Sequence, residues 1–310
     1  MRAVALTEYG DADVMSVQEL PDPLVGPDFV LVRVAAVGVN PVDYKIRQGK
    51  LRERFPHHVP LVPGWDVAGT VEQVGPALTE FAPGDEVLGY VRKDHVQWGS
   101  YAELVAAPVR TLAHRPPGLD VVTAGALPLV GLTALQALRA VGTGHGDTVL
   151  VHAASGGVGH LAVQVARELG AARVLGTSSE RNADFVRSLG ADPLTYGSGL
   201  EERAAELVGG DGRVDVVLDL VGGEALAASS MLVRDPARQV SVVDPATVRE
   251  QGGRYVFVRT DAEGLGWLAE RAADGRISVE IQQVFDLAAA PDAHRLLEQG
   301  HVRGKLVLRL

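Results

Sequence analysis

Thr148-Val149-Leu150-Val151-His152-Ala153-Ala154-Ser155-Gly156-Gly157-Val158-Gly159 runs from a block of aliphatic residues straight into a cluster of small ones. The residues that follow repeat with a helical period. Val158, Leu161, Ala162, Val165, Ala166 and Leu169 form an apolar stripe, with His160, Gln164, Arg167 and Glu168 expected to face away from it. Gly170 supplies the stop. Strand, glycine turn and helix in that order predict a phosphate-binding βα junction. Gly156 and Gly157 let backbone N–H groups approach a pyrophosphate with no Cβ in the way. Gly159 lets the helix pack close to the sheet, and the helix N-terminus turns its positive end toward the anion. Ala154 stands where the usual G-x-G-x-x-G begins, so the reading rests on context rather than on glycines alone. Ser155, Gly156, Gly157 and Val158 are the expected phosphate contacts; a tight turn without a ligand is the alternative. No Gly-Lys-Ser/Thr follows, which excludes a Walker-type loop.

Downstream, apolar bursts at 173–177, 214–220 and 239–243 alternate with helical stretches. That alternation predicts a doubly wound parallel sheet with helices on both faces, an α/β Rossmann-type domain over 117–259. The end of its second strand decides between the two nicotinamide dinucleotides. An NAD site wants a carboxylate there for the ribose 2′-OH, whereas this chain has Gly176-Thr177-Ser178-Ser179-Glu180-Arg181. Hydroxyls on Ser178 and Ser179 and the Arg181 guanidinium suit a 2′-phosphate and favour NADP(H); Glu180 points the other way. Val243 and the Phe257-Val258 pair end the last two strands, where the carboxyl edge of such a sheet meets the nicotinamide, although apolar strand ends also suit a core.

Upstream the texture is different. Short apolar runs at 29–37, 66–74, 86–91 and 101–106 are punctuated by Gly and Pro, and the prolines fall between runs, as β-strands require. At the other end, a helix over 262–273, a strand over 277–281, a helix over 288–298 and a strand over 305–310 are expected to return to this first domain. The expected division is thus 1–116 with 260–310, and 117–259.

A net charge of −10 argues against nucleic acid as a partner. The chain has no cysteine, which excludes disulfides and thiolate zinc sites. The His57-His58 pair lacks companion ligands at metal-binding spacing and reads as an exposed loop. The first eight residues turn polar too early for a secretory signal. Residues 124–141 are interrupted by Pro128, Gln136 and Arg139, so a buried helix is expected there and no membrane span. The expected location is cytoplasmic.

Four stretches, taken together, resemble the zinc-free quinone oxidoreductase (ζ-crystallin-like) branch of the medium-chain dehydrogenase/reductase superfamily. They are Gly38-Val39-Asn40-Pro41-Val42-Asp43-Tyr44-Lys45-Ile46-Arg47; Pro63-Gly64-Trp65-Asp66-Val67-Ala68-Gly69-Thr70-Val71; the Ala154-Ser155-Gly156-Gly157-Val158-Gly159 turn; and the ending Gly304-Lys305-Leu306-Val307-Leu308. The resemblance spans essentially the whole chain. It implies a GroES-like β-barrel substrate domain before the Rossmann domain and a nicotinamide cleft between them. It also implies NADPH-dependent reduction of quinones or of C=C bonds conjugated to a carbonyl, and homodimers. Zinc-dependent relatives carry Gly-His-Glu where this chain has Gly64-Trp65-Asp66, so the Lewis acid of alcohol oxidation has no ligand set here.

Without zinc, hydrogen-bond donors must stabilise the oxygen that becomes charged as hydride is delivered. The loop 40–47 is the expected source, with Asn40, Tyr44 and Lys45 as the catalytic cluster and the proton donor left open. Asn40 is either an amide donor or a turn-closing residue before Pro41. Many relatives have Tyr where this chain has Lys45, which either meets the cofactor phosphate, polarises the substrate oxygen, or is a surface lysine. Thr133 matches the family threonine beside the nicotinamide, or is a helix-buried hydroxyl bonded to a backbone carbonyl; Tyr196 matches a position near the adenine end, or caps a strand. Two other functions fit the same residues: a crystallin-like or NADPH-sensing protein with little turnover, and a stand-alone enoyl-thioester reductase.

Overall fold

The structure, a computed structural model, describes residues 1–310. It contains two compact units, Met1–Leu129 with Thr260–Leu310, and Val130–Arg259. In chain order the elements are β1 (Arg2–Ala5), β2 (Ser16–Glu19), β3 (Phe29–Val39), α1 (Pro41–Arg47), β4 (His57–Val62), β5 (Asp66–Val74), β6 (Glu86–Tyr90), β7 (Val96–Trp98), β8 (Leu104–Pro108), β9 (Leu112–His114) and α2 (Val121–Ala126). Then come α3 (Pro128–Ala140), β10 (Thr148–Val151), α4 (Gly159–Glu168), β11 (Arg173–Ser178), α5 (Ala183–Ser188), β12 (Asp192–Thr195), α6 (Leu200–Val208), β13 (Val216–Asp219), α7 (Gly223–Leu232), β14 (Gln239–Ser241), α8 (Pro245–Glu250) and β15 (Arg254–Tyr255). The chain ends with α9 (Ala262–Ala273), β16 (Ile281–Asp286), α10 (Ala290–Glu298) and β17 (Lys305–Arg309).

The first unit is organised by β3. This strand pairs with β5, β8 and β17, all antiparallel, inside a sheet of order β16-β17-β3-β5-β6-β9. Its register with β5 slips between Val34 and Ala36, a bulge that increases local bending. Gly69 sits opposite: a Cβ there would lie 2.0 Å from the Arg33 carbonyl oxygen, so only glycine lets the strands approach. The interior is aliphatic, with Val30, Val32, Val71, Val87, Leu88, Val105 and Leu308 buried, as the scarcity of aromatics demands.

Several expectations need correction here. The segment before α3 belongs with the first unit, not with the Rossmann unit from residue 117. The cause is α2, whose Ala126 packs against Ala36 and Val307, and whose Gly125 leaves no room for a Cβ beside Ala36. The strand expected over 101–106 begins at Leu104, because Tyr101 and Glu103 bond instead to Val4 and Arg2 of the N-terminal segment. The strand expected over 277–281 is β16, over Ile281–Asp286. Its extent is set by pairing with β17 from Ile281 onward, and as an edge strand with two glutamines it carries little apolar signal. His57 and His58 lie in β4 rather than in a loop.

The second unit is a six-stranded sheet, parallel throughout, of order β12-β11-β10-β13-β14-β15. Counted within the unit, this is third, second, first, fourth, fifth, sixth. The direction of winding reverses between β10 and β13, which is where such sheets bind ligands, beyond the carboxyl ends of the strands. Along α4 the stripe is present, but His160 and Gln164 are buried rather than facing away. The helix is covered on more than one side, and both side chains fold back onto backbone: His160 Nδ1 lies 2.9 Å from the Gly156 oxygen, and Gln164 Nε2 donates to the His160 oxygen at 2.9 Å. No helix is long and apolar enough to cross a membrane.

Candidate active site

The turn after β10 is held open by its neighbours. Ala153 adopts φ 49°, a left-handed conformation rare for a residue with a Cβ. Three bonds fix it: the Ala153 N–H donates to Thr177 Oγ1 at 3.0 Å, Ala154 N–H to the Thr177 oxygen at 2.8 Å, and Gly156 N–H to the Ala153 oxygen at 3.0 Å. Gly159 is obligatory, since a Cβ would fall 2.1 Å from the Ala153 oxygen. Behind the turn, His152 is buried between Thr177 Oγ1 at 3.2 Å and Ser229 Oγ at 2.6 Å. Ser229 Oγ donates to the Ala225 oxygen, so it accepts from His152 Nε2–H, leaving Nδ1 to accept from the Thr177 hydroxyl. Burial holds His152 below the usual imidazole range, hence neutral. The N–H groups of Ser155, Gly157 and Val158 find no acceptor in the protein. Three donors at the winding switch, in front of α4, fit a pyrophosphate.

One strand over, Ser178 is buried with its hydroxyl on the Ser179 oxygen at 3.1 Å, while Ser179 is half-buried. Arg181 is exposed and has no ion pair or hydrogen bond within the protein. Asn182 donates to Ser155 Oγ at 3.1 Å, tying this loop to the glycine turn. Sequence reasoning stopped one residue short of it, although it directly follows the serine–arginine cluster.

At the carboxyl ends of the parallel strands, large apolar side chains stand in solvent: Tyr196 after β12 (57% exposed), Val221 after β13 (55%), Val243 after β14 (46%) and Phe257 after β15 (39%). Four such residues on one edge of an aliphatic domain form an apolar margin suited to a ligand with flat rings. Val221 went unnamed in the sequence, yet it closes the same kind of burst as Val243. Val258 is buried, and so is Thr133 on α3.

In the first unit, 41–47 is a helix rather than a loop: Asn40 caps it just before Pro41, and the Asp43 carboxylate accepts the Asn40 N–H at 2.8 Å. Asn40 is fully buried. Its amide donates to Asp66 Oδ2 at 2.8 Å and to the Gly38 oxygen at 3.2 Å, and its Oδ1 accepts from Lys305 Nζ at 2.6 Å. Both amide hydrogens are therefore committed inside the barrel. Tyr44 is half-buried, with its phenol pushed up mainly by burial, and Lys45 is exposed.

Around Asn40 lies a buried polar cluster that the sequence did not disclose. Asp66 also accepts the Leu129 N–H at 2.7 Å, and Lys305 Nζ stands 4.0 Å from it while donating to the Val39 oxygen at 2.9 Å. Tyr101 OH donates to Asp43 at 3.2 Å, so the His294 Nε2, 3.2 Å from the same hydroxyl, carries the proton that Tyr101 accepts. Arg47, fully buried, pairs with Glu298 of α10. Burial raises the Asp43 carboxyl and brings Asp66 to about 6, while Lys305 opposes both. Burial, then the Arg47 charge, drives His294 down to about 3.

Comparison with known proteins agrees with this architecture. Residues 26–117 match the alcohol dehydrogenase GroES-like domain, and residues 189–308 match the zinc-binding dehydrogenase family. A chloroplast envelope quinone oxidoreductase homolog of Arabidopsis thaliana is 31% identical, covering 99% of this chain and 98% of the relative. A chloroplastic NADPH-dependent alkenal/one oxidoreductase of the same plant is 33% identical, covering 99% of this chain and 79% of its own. The solved structure of the quinone oxidoreductase from Coxiella burnetii superposes with a TM-score of 0.88 at 33% identity, covering 100% of this chain and 99% of the other. The chain belongs to the quinone oxidoreductase branch of the medium-chain dehydrogenase/reductase superfamily.

Proposed function

We propose that this chain is an NADPH-dependent reductase of quinones or of α,β-unsaturated carbonyl compounds. The observation that carries the reading is the glycine turn with three unsatisfied N–H donors, set on the same sheet edge as the exposed apolar margin. The names of the relatives, one a quinone oxidoreductase homolog and one an alkenal/one oxidoreductase, support the same class. NADPH, when bound, supplies the hydride.

In this reading Ser155, Gly157 and Val158 bind the pyrophosphate through backbone N–H groups, and Gly156 keeps the approach clear. Arg181, Ser178 and Ser179 take the 2′-phosphate. Tyr196, Val243, Phe257 and Val258 flank the rings, with Thr133 beside the nicotinamide. Tyr44 and Lys45, the two members of the catalytic cluster with exposed surface, donate to the substrate oxygen. Asn40 acts as a positioning residue, since its amide already bonds Asp66 and Lys305 supports it from the other side. We further propose a homodimer, on the resemblance alone, acting on small molecules; a net charge of −10 supports the absence of a nucleic acid partner, and the early polar residues and the interrupted 124–141 stretch support a cytoplasmic location.

Stopped-flow oxidation of NADPH against a panel of quinones and enones tests the reading, with turnover of at least one acceptor class expected. Tight NADPH binding with no turnover on any acceptor would overturn it in favour of a cofactor-binding protein.

A further inference from the structure

His152 follows β10 directly and lies behind the glycine turn, buried with Thr177 of β11 on one side and Ser229 of α7 on the other. Its backbone still belongs to the sheet, since its N–H donates to the Leu218 oxygen at 2.9 Å. The next residue leaves the sheet: Ala153 is one of two non-glycine residues in the left-handed region. Such a conformation lasts only where its surroundings enforce it. Here the enforcing residue is Thr177, whose carbonyl takes the Ala154 N–H and whose hydroxyl oxygen takes the Ala153 N–H.

Where a hydroxyl oxygen aims its lone pairs depends on where its own hydrogen goes. The Thr177 hydrogen goes to His152 Nδ1 at 3.2 Å. That nitrogen accepts only while the ring carries its proton on Nε2, and Ser229 dictates this. The Ser229 hydroxyl is committed to the Ala225 oxygen at 2.7 Å, so at 2.6 Å from Nε2 it can only accept. The result is a buried chain running one way: Ala153 N–H to Thr177, Thr177 to His152, His152 to Ser229, Ser229 to the backbone of α7. Every hydrogen in it has an acceptor, and each link polarises the next.

We propose that His152 is a positioning residue for cofactor binding: by accepting from Thr177 and donating to Ser229, it fixes the Thr177 oxygen on Ala153 N–H and so sets the turn that binds the pyrophosphate. This rests on the nucleotide-binding part of the reading above, and its test separates the two. Protonation of the ring would set a second N–H against the Thr177 oxygen and leave the threonine hydrogen without an acceptor. Affinity for the pyrophosphate is therefore present while the ring is neutral and lost as pH falls and the ring charges. A cation acting through charge alone would do the reverse and draw the anion tighter, so the sign separates the two effects. The charged group facing the ring is Asp219 at the end of β13, its carboxylate taken up by the Val221 and Gly222 N–H groups and the Ser241 hydroxyl. Glu224 of α7 is exposed in the first turn, and His160 of α4 turns its Nδ1 to the Gly156 oxygen.

The probe is adenosine diphosphoribose, which carries the pyrophosphate but neither a nicotinamide nor a 2′-phosphate, and its binding is measured by titration calorimetry. Wild type is expected to bind it at neutral pH and His152→Phe roughly tenfold more weakly, while His152→Asn, whose Oδ1 can replace Nδ1, recovers much of the difference. Thr177→Val is expected to lose at least as much as His152→Phe. With valine at 177 the chain is already cut, so adding His152→Phe is expected to change the Kd by less than about twofold. Nitrogen NMR of isotope-labelled histidine in wild type is expected to place the His152 proton on Nε2. On acidification the Kd is expected to rise roughly tenfold as that signal reports protonation, a rise that His152→Asn lacks. Losses that multiply in full in the double variant, a proton on Nδ1, or an affinity that holds or grows as the ring protonates each overturn the role given to His152. If His152→Phe does not fold, the tautomer and the acid profile of His152→Asn decide; if the ring stays neutral until the protein unfolds, the double variant decides. Wild type that binds no adenosine diphosphoribose removes the pyrophosphate turn, and the reductase reading with it. Binding with fully multiplying losses removes the role of His152 alone, and the expected losses without turnover on any acceptor keep that role and remove the reductase.

Discussion

Arg181 is the one guanidinium beside the second strand's end that has nothing in the protein to pair with. Exposed and in the middle of a short 3-10 turn, it is available to a phosphate. Arg181→Ala is expected to raise the Kd for NADPH roughly tenfold and that for NADH less than about twofold, measured by fluorescence titration. Equal losses for both would assign the 2′-phosphate elsewhere. His294 offers a different kind of test. Its folded value near 3 lies below the ordinary 6.5, so the unfolded chain holds more protons between those limits, and stability from this group is lost as pH falls through the window. Asp66, raised from 3.8 to about 6, works the other way: its contribution is present at low pH and lost as pH rises through 6. The two oppose each other where their ranges overlap. His294→Gln removes the first alone, and the slope of unfolding free energy against pH is expected to drop by about 1.4 kcal/mol per pH unit across that overlap. Urea titrations at a series of pH values read it directly; an unchanged slope would mean the imidazole is charged in the native state.

At the scale of elements, what was legible followed pattern, and what was not followed pairing. The β10–turn–α4 junction was readable because its signal is local: a strand's aliphatics, glycines at fixed spacing, a helical stripe. The carboxyl edge was readable in part, since Val243 and Phe257 end apolar bursts that Val221 ends as well. Helix α1 was missed because seven residues, Pro41 among them, give too short a window for periodicity, and its N-terminal bond to Asp43 resembles a turn in sequence. The burial of His160 and Gln164 was missed for another reason: composition does not report a helix covered on more than one side. The partners of Asn40 were beyond reach, because Asp66 and Lys305 are distant in sequence and meet only through the register of β3 with β5 and β17. The junction itself is tested by Gly159→Ala. The added methyl meets the Ala153 carbonyl, so a stability loss of about 1–3 kcal/mol is expected, together with at least a tenfold loss of NADPH affinity. A variant of native stability with normal binding would show that the turn relaxes without consequence.

For the whole molecule, the barrel's buried charges are balanced across the two ends of the chain. Lys305 at the start of β17 faces Asp66, which begins β5, and Asn40, which follows β3. Lys305→Met is expected to cost about 3–5 kcal/mol in urea unfolding, because it strands Asp66 without a cation, and Asp66→Asn in the same chain is expected to recover part of that loss. A single variant as stable as wild type would mean Asp66 is already neutral.

The position of β17 also sets a timetable for synthesis. The nucleotide-binding half, Val130–Arg259, is contiguous, so every strand of its sheet has been synthesised before α9 is made. The barrel must wait: β3 lacks one neighbour along Ala36–Val39, and Asp66 its ammonium, until β17 is made. During that interval the Ala36–Val39 end of β3 has an unpaired edge, the kind of surface on which another strand can pair.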